Sequence, residues 1–295
     1  MMQILQSIPL AQYTTFGIGG PADFFVKATS KDAVIEAILY ARANKLPVFI
    51  LGAGANILIG DKGFRGMVIK NEAKNVSIHN TLLTAEGGAL ISDIILQTQK
   101  LGLSGLEHYA GIPSTVGGAL WQNLHFLSAD RTYTEYIGSI VKNAHIMTIH
   151  GEVKEVDADY FHFNYDWSIL HETHEIVLDA TFILKSDNPQ EIQKRIDENL
   201  KWRGEKHPEN AVKTSAGSIF KKLEGYGAGR LIQQVGMSGF KIGGAEVSKK
   251  HSNFIVNTGN ATASDVKNLI EKIQQTIKEK LGLVLETEIS FIGEF

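Results

Sequence analysis

The sequence predicts an α/β or α+β fold, and three observations predict it. Short apolar runs of strand length alternate with segments of helical period, which is the pattern of mixed folds. Glycine is abundant, at 29 of 295 residues, and closes many of those runs. Hydrophobic residues at 43% and charged residues at 21% are those of a chain that buries a core. At roughly 100–200 residues per domain, the length predicts two or three packed units.

The elements follow in order. Ser30 can cap a helix in which Val34, Ile35, Ile38 and Leu39 recur at helical spacing. A strand over Pro47–Leu51 is stopped by Gly52, and Met67–Ile69 reads as a second short strand, which gives a β-α-β opening. Val76–Ile78 and Leu82–Thr84 form a hairpin about His79-Asn80, with a helix from about Ser92 to Leu101 after it. Ala144–Ile149 and Val153–Val156 flank a turn at His150-Gly151-Glu152, and Ile176–Leu184 is a long strand that closes this part. Asn188-Pro189 starts a helix with Ile192, Ile196 and Leu200 on one face. The main boundary is therefore expected near 187: a first domain over 1–187, with subdomains of about 1–72 and 73–187, and a second over 188–295.

The second domain carries a short helix at Gly229–Val235 and a strand at Asn253–Val256. Its longest helix starts near Ser264, turns Val266, Leu269, Ile270, Ile273, Ile277 and Leu281 inward, and stops at Gly282. Leu285–Ile289 is the expected last strand. No internal repeat or low-complexity segment interrupts the pattern.

Composition excludes several functions. A net charge of −3 offers no basic surface for nucleic acid or anionic membrane. Absence of cysteine removes disulfides, thiolate metal sites and cysteine nucleophiles. No apolar run approaches the ~18 residues that span a bilayer, and Met1–Gln6 lacks the pattern of a signal peptide, so a cytoplasmic protein is expected. His171-Glu172-Thr173-His174 lacks the spacing of a helical zinc site, and no metal is expected. Trp121, Trp167 and Trp202 read as core or pocket wall.

Two glycine-rich segments carry the chemistry. Gly52-Ala53-Gly54-Ala55-Asn56 follows a strand directly, where glycines let backbone N–H groups approach an anion. It is neither a Rossmann loop, since Ile57 replaces the third glycine and no helix follows, nor a Walker loop, since no Gly-Lys-Ser/Thr closes it. Gly111-Ile112-Pro113-Ser114-Thr115-Val116-Gly117-Gly118-Ala119 is a second loop of the same character, with two hydroxyls added. Two such loops point to a ligand bearing a diphosphate, without fixing the reaction.

A longer set of blocks goes further. Thr14–Ala22, Gly52–Asn56, Gly63-Phe64-Arg65-Gly66, Gly105–Gly118, Ser215–Lys221, Ile242–Ala245, Lys250–Asn257 and Leu285–Glu288 lie in one order across nearly the whole chain. Together they resemble the UDP-N-acetylenolpyruvoylglucosamine reductases, in the shorter form that lacks an extra tyrosine-bearing loop. The resemblance implies an α+β fold with a flavin-binding module of the vanillyl-alcohol-oxidase type, built of two α+β subdomains, and a C-terminal substrate domain. It implies noncovalent FAD, held by Gly52, Ala53, Gly54, Ala55, Asn56, Gly111, Ile112, Ser114, Thr115, Gly117, Gly118 and Asn123. It also implies NADPH as the hydride donor and a small UDP-sugar substrate, with no nucleic-acid or membrane partner, and a monomer is expected.

Further roles come from the resemblance residue by residue. Ser218 matches the proton donor, and a neutral hydroxyl can deliver a proton to a carbon held beside it. Glu288 matches the catalytic glutamate, although strand alternation puts Glu286 on the same face and cannot choose between them. Lys206 matches a contact to the UDP portion, with Lys221, Lys222 and Arg230 as further basic candidates. Two other readings share the fold: another FAD oxidase, and a relative that binds FAD or UDP-sugar without turnover.

Three departures qualify the match, the shortest being Lys221-Lys222 where the family usually carries Lys-Asn. Tyr165-Asp166-Trp167-Ser168 puts Asp166 where the family carries an active-site arginine, which reverses the charge expected near the substrate carboxylate. Arg131 and His171 are the bases expected to compensate. After the second glycine loop the family has a run of small residues, whereas here Asn123 is followed by Leu124-His125-Phe126-Leu127.

Overall fold

A computed structural model gives the fold and describes residues 2–128, 130–223 and 225–295, the side chain of Val212 excepted. The strands are β1 (Leu5–Pro9), β2 (Pro21–Ala28), β3 (Val48–Leu51), β4 (Ile57–Ile59), β5 (Phe64–Asn71), β6 (Val76–His79), β7 (Leu82–Glu86), β8 (Leu103–Ser104), β9 (His125–Leu127), β10 (Thr134–Tyr136), β11 (Val141–Met147), β12 (Val153–Asp157), β13 (Ile176–Ile183), β14 (Lys185–Ser186), β15 (Lys241–Ile242), β16 (Ala245–Val247), β17 (Ile255–Asn257) and β18 (Ser290–Ile292). The α-helices are α1 (Lys31–Ala43), α2 (Ile91–Lys100), α3 (Val116–Gln122), α4 (Leu170–Thr173), α5 (Pro189–Lys206), α6 (Ala211–Thr214), α7 (Ala228–Gln234) and α8 (Ala263–Leu281). No helix among the described residues is long and apolar enough to cross a membrane.

The chain forms two compact units, and they divide it differently from a linear cut at 187. One holds residues 25–53 and 67–203 with the first few residues, and the other holds 5–24, 54–66 and 204–295. Most of α5 stays with the first unit, where Ile192 and Ile196 enter the core and two polar contacts add to them. Arg195 reaches from α5 to the buried Glu107 carboxylate, Nε to Oε1 at 3.0 Å, and Asn199 donates to the Glu107 carbonyl at 3.3 Å.

The first unit is built on an antiparallel sheet of order β12-β11-β13-β7-β6. The hairpin of β6 and β7 turns at Asn80, whose φ of 54° is a conformation asparagine tolerates. Strand β7 alternates buried and half-buried residues, as a one-faced strand must, and Leu83 and Ala85 enter the core. Ile94 and Ile95 of α2, Leu120 of α3, and Ile192 and Ile196 of α5 join Phe182 and Ile146 of the sheet in that core. Truncating a side chain such as Phe182 to alanine costs roughly 3–5 kcal/mol at sites of this kind. Strand β3 pairs in parallel with β5, Val48 to Leu51 against Met67 to Lys70.

The second unit contains the three-stranded antiparallel sheet β15-β16-β17 and the parallel pair β4-β18. Helix α8 starts with a capping box, in which the Thr262 hydroxyl accepts from Asp265 N–H and the Asp265 carboxylate accepts from Thr262 N–H. It ends at Gly282 with φ 70°, and its stripe of Val266, Leu269, Ile270, Ile273 and Ile277 packs with Phe16, Ile219, Phe220 and Ile255.

Three expectations change. Residues 285–289 are not a ladder strand: Thr287 makes one bridge to Phe220, after which the chain leaves to pair β18 with β4. Leu200 is 47% exposed, because at that level α5 meets the Gly111 turn and not the sheet. The second glycine segment runs into α3, capped by the Thr115 hydroxyl, which accepts from Gly118 N–H at 3.3 Å. Glycines and a β-branched residue at its start hide this helix from propensity.

Candidate active site

In the first unit the two glycine segments meet. A Cβ on Gly52 would lie 2.6 Å from the Thr115 Oγ1, so glycine here leaves room for the Thr115 side chain against the loop. Beneath the loop, Lys70 of β5 donates its ammonium to the Gly52 carbonyl at 2.5 Å, and burial lowers the ammonium below the ordinary lysine range. Ser114 donates its hydroxyl to the Thr115 carbonyl. This cradle, closed at the one spot a side chain would fill, with a cation behind it, fits the phosphate groups of FAD.

Not every expected donor faces outward. The N–H groups of Val116 and Gly117 donate to the carbonyls of Ala89 and Gly87, at 2.9 and 2.8 Å, and Gly118 N–H is held by Thr115. Gly117 therefore serves close packing of two backbones, since a Cβ there would come within 3.2 Å of Gly87 O. Gly111, at φ 82°, turns under α5, where a Cβ would sit 2.9 Å from Leu200 Cδ2 and 3.1 Å from Arg203. Ile112 packs against the core. Asn123, buried at the end of α3 with φ 47°, braces the loops around it: its amide donates to Asn164 O at 2.9 Å and accepts from Gly138 N–H at 3.1 Å.

In the second unit the same glycine loop continues as Gly54, Ala55 and Asn56. Gly54, at φ 65°, lies so close to Tyr13 that a Cβ would fall 2.1 Å from its carbonyl oxygen, and its own carbonyl accepts from Thr15 N–H. Asn56 donates its side-chain amide to Glu288 O at 3.2 Å, while its carbonyl accepts from Ser290 N–H. This loop therefore holds the segment that carries Glu288.

Ser218 and Glu288 are brought together by backbone pairing. Glu288 N–H donates to Ile219 O at 2.8 Å and Lys221 N–H donates to Glu286 O at 3.0 Å, flanking the bridge of Phe220 with Thr287. Ser218 bridges Phe254 on its other side. Asn253, which sequence reasoning left without a role, pins this segment. Its amide donates to Phe220 O at 2.8 Å and accepts from Phe220 N–H at 3.0 Å, and its carbonyl accepts from Ile219 N–H. The two glutamates also separate here. Glu286 is 75% exposed at its side chain and pairs with Lys221 at 3.6 Å, whereas Glu288 is half-buried. Lys206 and Arg230 are exposed, on α5 and α7.

Asp166 lies in the first unit, 3% exposed and at φ 51°. Neither expected compensating base stands beside it. Arg131 lies over the rings of Phe126 and Trp202, at 5.5 and 5.3 Å, and the His171 ring packs on Trp121 with Nε2 3.0 Å from the Trp121 carbonyl. The group that does is His125, with Nδ1 3.5 Å from Asp166 Oδ1.

Comparison with known proteins gives these residues a context. Residues 207–292 match the C-terminal domain model of UDP-N-acetylenolpyruvoylglucosamine reductase, and residues 22–157 match an FAD binding domain. The UDP-N-acetylenolpyruvoylglucosamine reductase of Caldanaerobacter subterraneus subsp. tengcongensis is 42% identical over 287 residues, covering 97% of this chain and 92% of its own length. That of Listeria welshimeri serovar 6b is 40% identical over 287 residues, covering 97% and 94%. The crystal structure of UDP-N-acetylenolpyruvylglucosamine reductase from Thermus caldophilus matches with a TM-score of 0.82 at 30% identity, over 99% of this chain and 100% of that one.

Proposed function

The chain belongs to the UDP-N-acetylenolpyruvoylglucosamine reductases, and from that membership we propose which of its residues perform the reaction. The enzyme reduces UDP-N-acetyl-3-O-(1-carboxyvinyl)glucosamine to UDP-N-acetylmuramate for peptidoglycan synthesis, with FAD as cofactor and NADPH as reductant. When bound, FAD supplies the hydride that reaches the terminal carbon of the enolpyruvyl group. The chain's own task is to hold the ligands and to place a proton on the adjacent carbon.

We assign that proton to the Ser218 hydroxyl and the support of the enolic charge to Glu288. The observation that carries this is the 2.8 Å bond from Glu288 N–H to Ile219 O, which fixes the glutamate's backbone against the residue after Ser218. A donor held by a paired backbone on both sides is preorganised for transfer. Lys206, Lys221 and Arg230 are the bases proposed to meet the diphosphate of the substrate, and Lys70 with the 52–56 and 111–118 segments those that hold the cofactor, noncovalently. On this reading residues 1–187 serve FAD and 188–295 the substrate, in a monomeric cytoplasmic enzyme with no nucleic-acid or membrane partner. An FAD oxidase of the same fold would have no use for the segment matched at 207–292.

The test is anaerobic. NADPH should bleach the flavin absorbance of the purified protein, and the UDP-enolpyruvyl sugar should restore it with formation of UDP-N-acetylmuramate. A flavin that is reduced but never reoxidised by the sugar would make this chain a non-catalytic relative.

A further inference from the structure

Helix α5 lays one ridge along the chain that leads into the second glycine segment. Arg195, Asn199 and Arg203 follow one another at four-residue spacing and so stand on successive turns of that ridge. Each meets the facing chain further along than the last. Arg195 holds the Glu107 carboxylate, and Asn199 donates to the Glu107 and His108 carbonyls at 3.3 and 3.5 Å. Arg203 arrives at Gly111, where a Cβ on the glycine would lie 3.1 Å from both its Cδ and its Nε. Gly111, at φ 82°, opens the segment that runs on to Thr115, whose side chain fills the space beside Gly52.

The two arginines of the ridge differ in what answers their charge. Arg195 pairs with Glu107 and Asp187. Among the described residues no carboxylate answers Arg203: burial alone acts on its guanidinium and lowers it to about 10, so it remains a cation at neutral pH. Its Cζ lies 5.4 Å from the centroid of the Phe126 ring, a contact that steers a guanidinium without neutralising it. Phe126 belongs to β9, in the stretch that replaces the family's run of small residues, and Trp202 meets its ring edge-on at 5.5 Å. The glycine turn thus bounds the arginine at Cδ and Nε, and Phe126 bounds it at Cζ. A half-buried cation held in place without an anion costs free energy until an anion comes to it.

We propose that Arg203 pairs with the diphosphate of FAD and that Phe126 is its positioning residue. The inference rests on the reading that Gly52 and the 111–118 segment hold the cofactor, and Lys70, Phe126 and Arg203 lie in the same unit as those residues. Lys70 is a point charge behind the first loop, whereas the planar fork of Arg203 can bind two phosphate oxygens at once from the turn of the second. The departure at Leu124–Leu127 gains a use on this account: a ring in place of a small side chain keeps the guanidinium at the turn.

The experiment measures FAD dissociation constants by equilibrium dialysis of the full chain, from low salt up to about 1 M, where the screening length falls to about 3 Å. Arg203→Gln should weaken FAD by about tenfold or more, the size of a lost charge-assisted hydrogen bond, and should flatten the dependence on salt. Arg203→Lys should fall between, since it keeps the charge and loses the fork. Phe126→Ala should weaken FAD and Phe126→Tyr should bind it as the wild type does. Adding Phe126→Ala to Arg203→Gln should bring little further loss, because the ring acts through the arginine. Should Arg203→Gln fail to fold, Arg203→Lys and the two Phe126 variants decide in its place. An unchanged affinity in Arg203→Gln overturns the proposal, and so does weaker binding with the wild-type salt dependence, which is the mark of lost packing alone. Lys70→Met separates this proposal from the reading beneath it. If Lys70→Met weakens FAD and Arg203→Gln does not, only the role of Arg203 falls; if neither does, the cofactor is not held at these loops.

Discussion

Burial drives the His251 imidazole below the ordinary histidine range, and its Nδ1 accepts the Asn253 N–H at 3.3 Å. Asn253 in turn pins Phe220, two residues beyond Ser218. Protonation of His251 would remove that acceptor. Because the folded-state value is depressed, the associated stability is complete above the unfolded value of about 6.5 and is lost as pH falls through the folded value. Urea unfolding midpoints followed from pH 7.5 down to about 5 should therefore drop more steeply for the wild type than for His251→Gln. Parallel curves would contradict this account of the residue. At this scale the sequence was legible where a residue type is forced. Gly52 and Gly54 sit against Thr115 and Tyr13 at distances no side chain survives. It was not legible where a partner is distant in the chain. The resemblance marked Asp166 as foreign, but pointed to Arg131 and His171, because nothing local in a sequence says that residue 125 reaches residue 166.

Among the elements, α5 is held by an ion pair as well as by Ile192 and Ile196 of its apolar face. Arg195 Nε binds Glu107 Oε1 at 3.0 Å, while the Ser104 hydroxyl and Gly105 N–H also donate to that carboxylate, at 2.6 and 2.7 Å. Burial alone would raise the Glu107 carboxyl, yet those donors outweigh it and hold the group below the usual carboxylate range. Arg195→Ala should cost about 3 kcal/mol, at the low end for a broken buried pair because two donors remain. Equilibrium urea denaturation measures it, and a loss below roughly 0.5 kcal/mol, the size of a surface pair, would show the contact to be ornamental. This pair, together with Ile192 and Ile196 in the core, accompanies the division of the compact units after Arg203. Helices with strong caps, such as α1 behind Ser30 and α8 behind Thr262, were readable from their ends. Helix α3 was not, since its first turn is glycine-rich and its stability comes from packing Val116, Ala119 and Leu120. The last strand was misplaced because the 285–289 pattern alternates like a strand, while its backbone finds one bridge before β4 captures the next residues.

At the scale of the whole molecule, order along the chain was more informative than any single motif. The blocks from Thr14 to Glu288 fixed the family, whereas each glycine loop taken alone said only that a phosphate could bind. The account depends on Ser218 as the source of the proton. The direct test is stopped-flow measurement of the two half-reactions of Ser218→Ala. Flavin reduction by NADPH should keep its wild-type rate, and reoxidation by the UDP-enolpyruvyl sugar should slow by a factor of about 10² or more, the usual size of a lost general acid. Reoxidation at the wild-type rate, or equal damage to both halves, would contradict it.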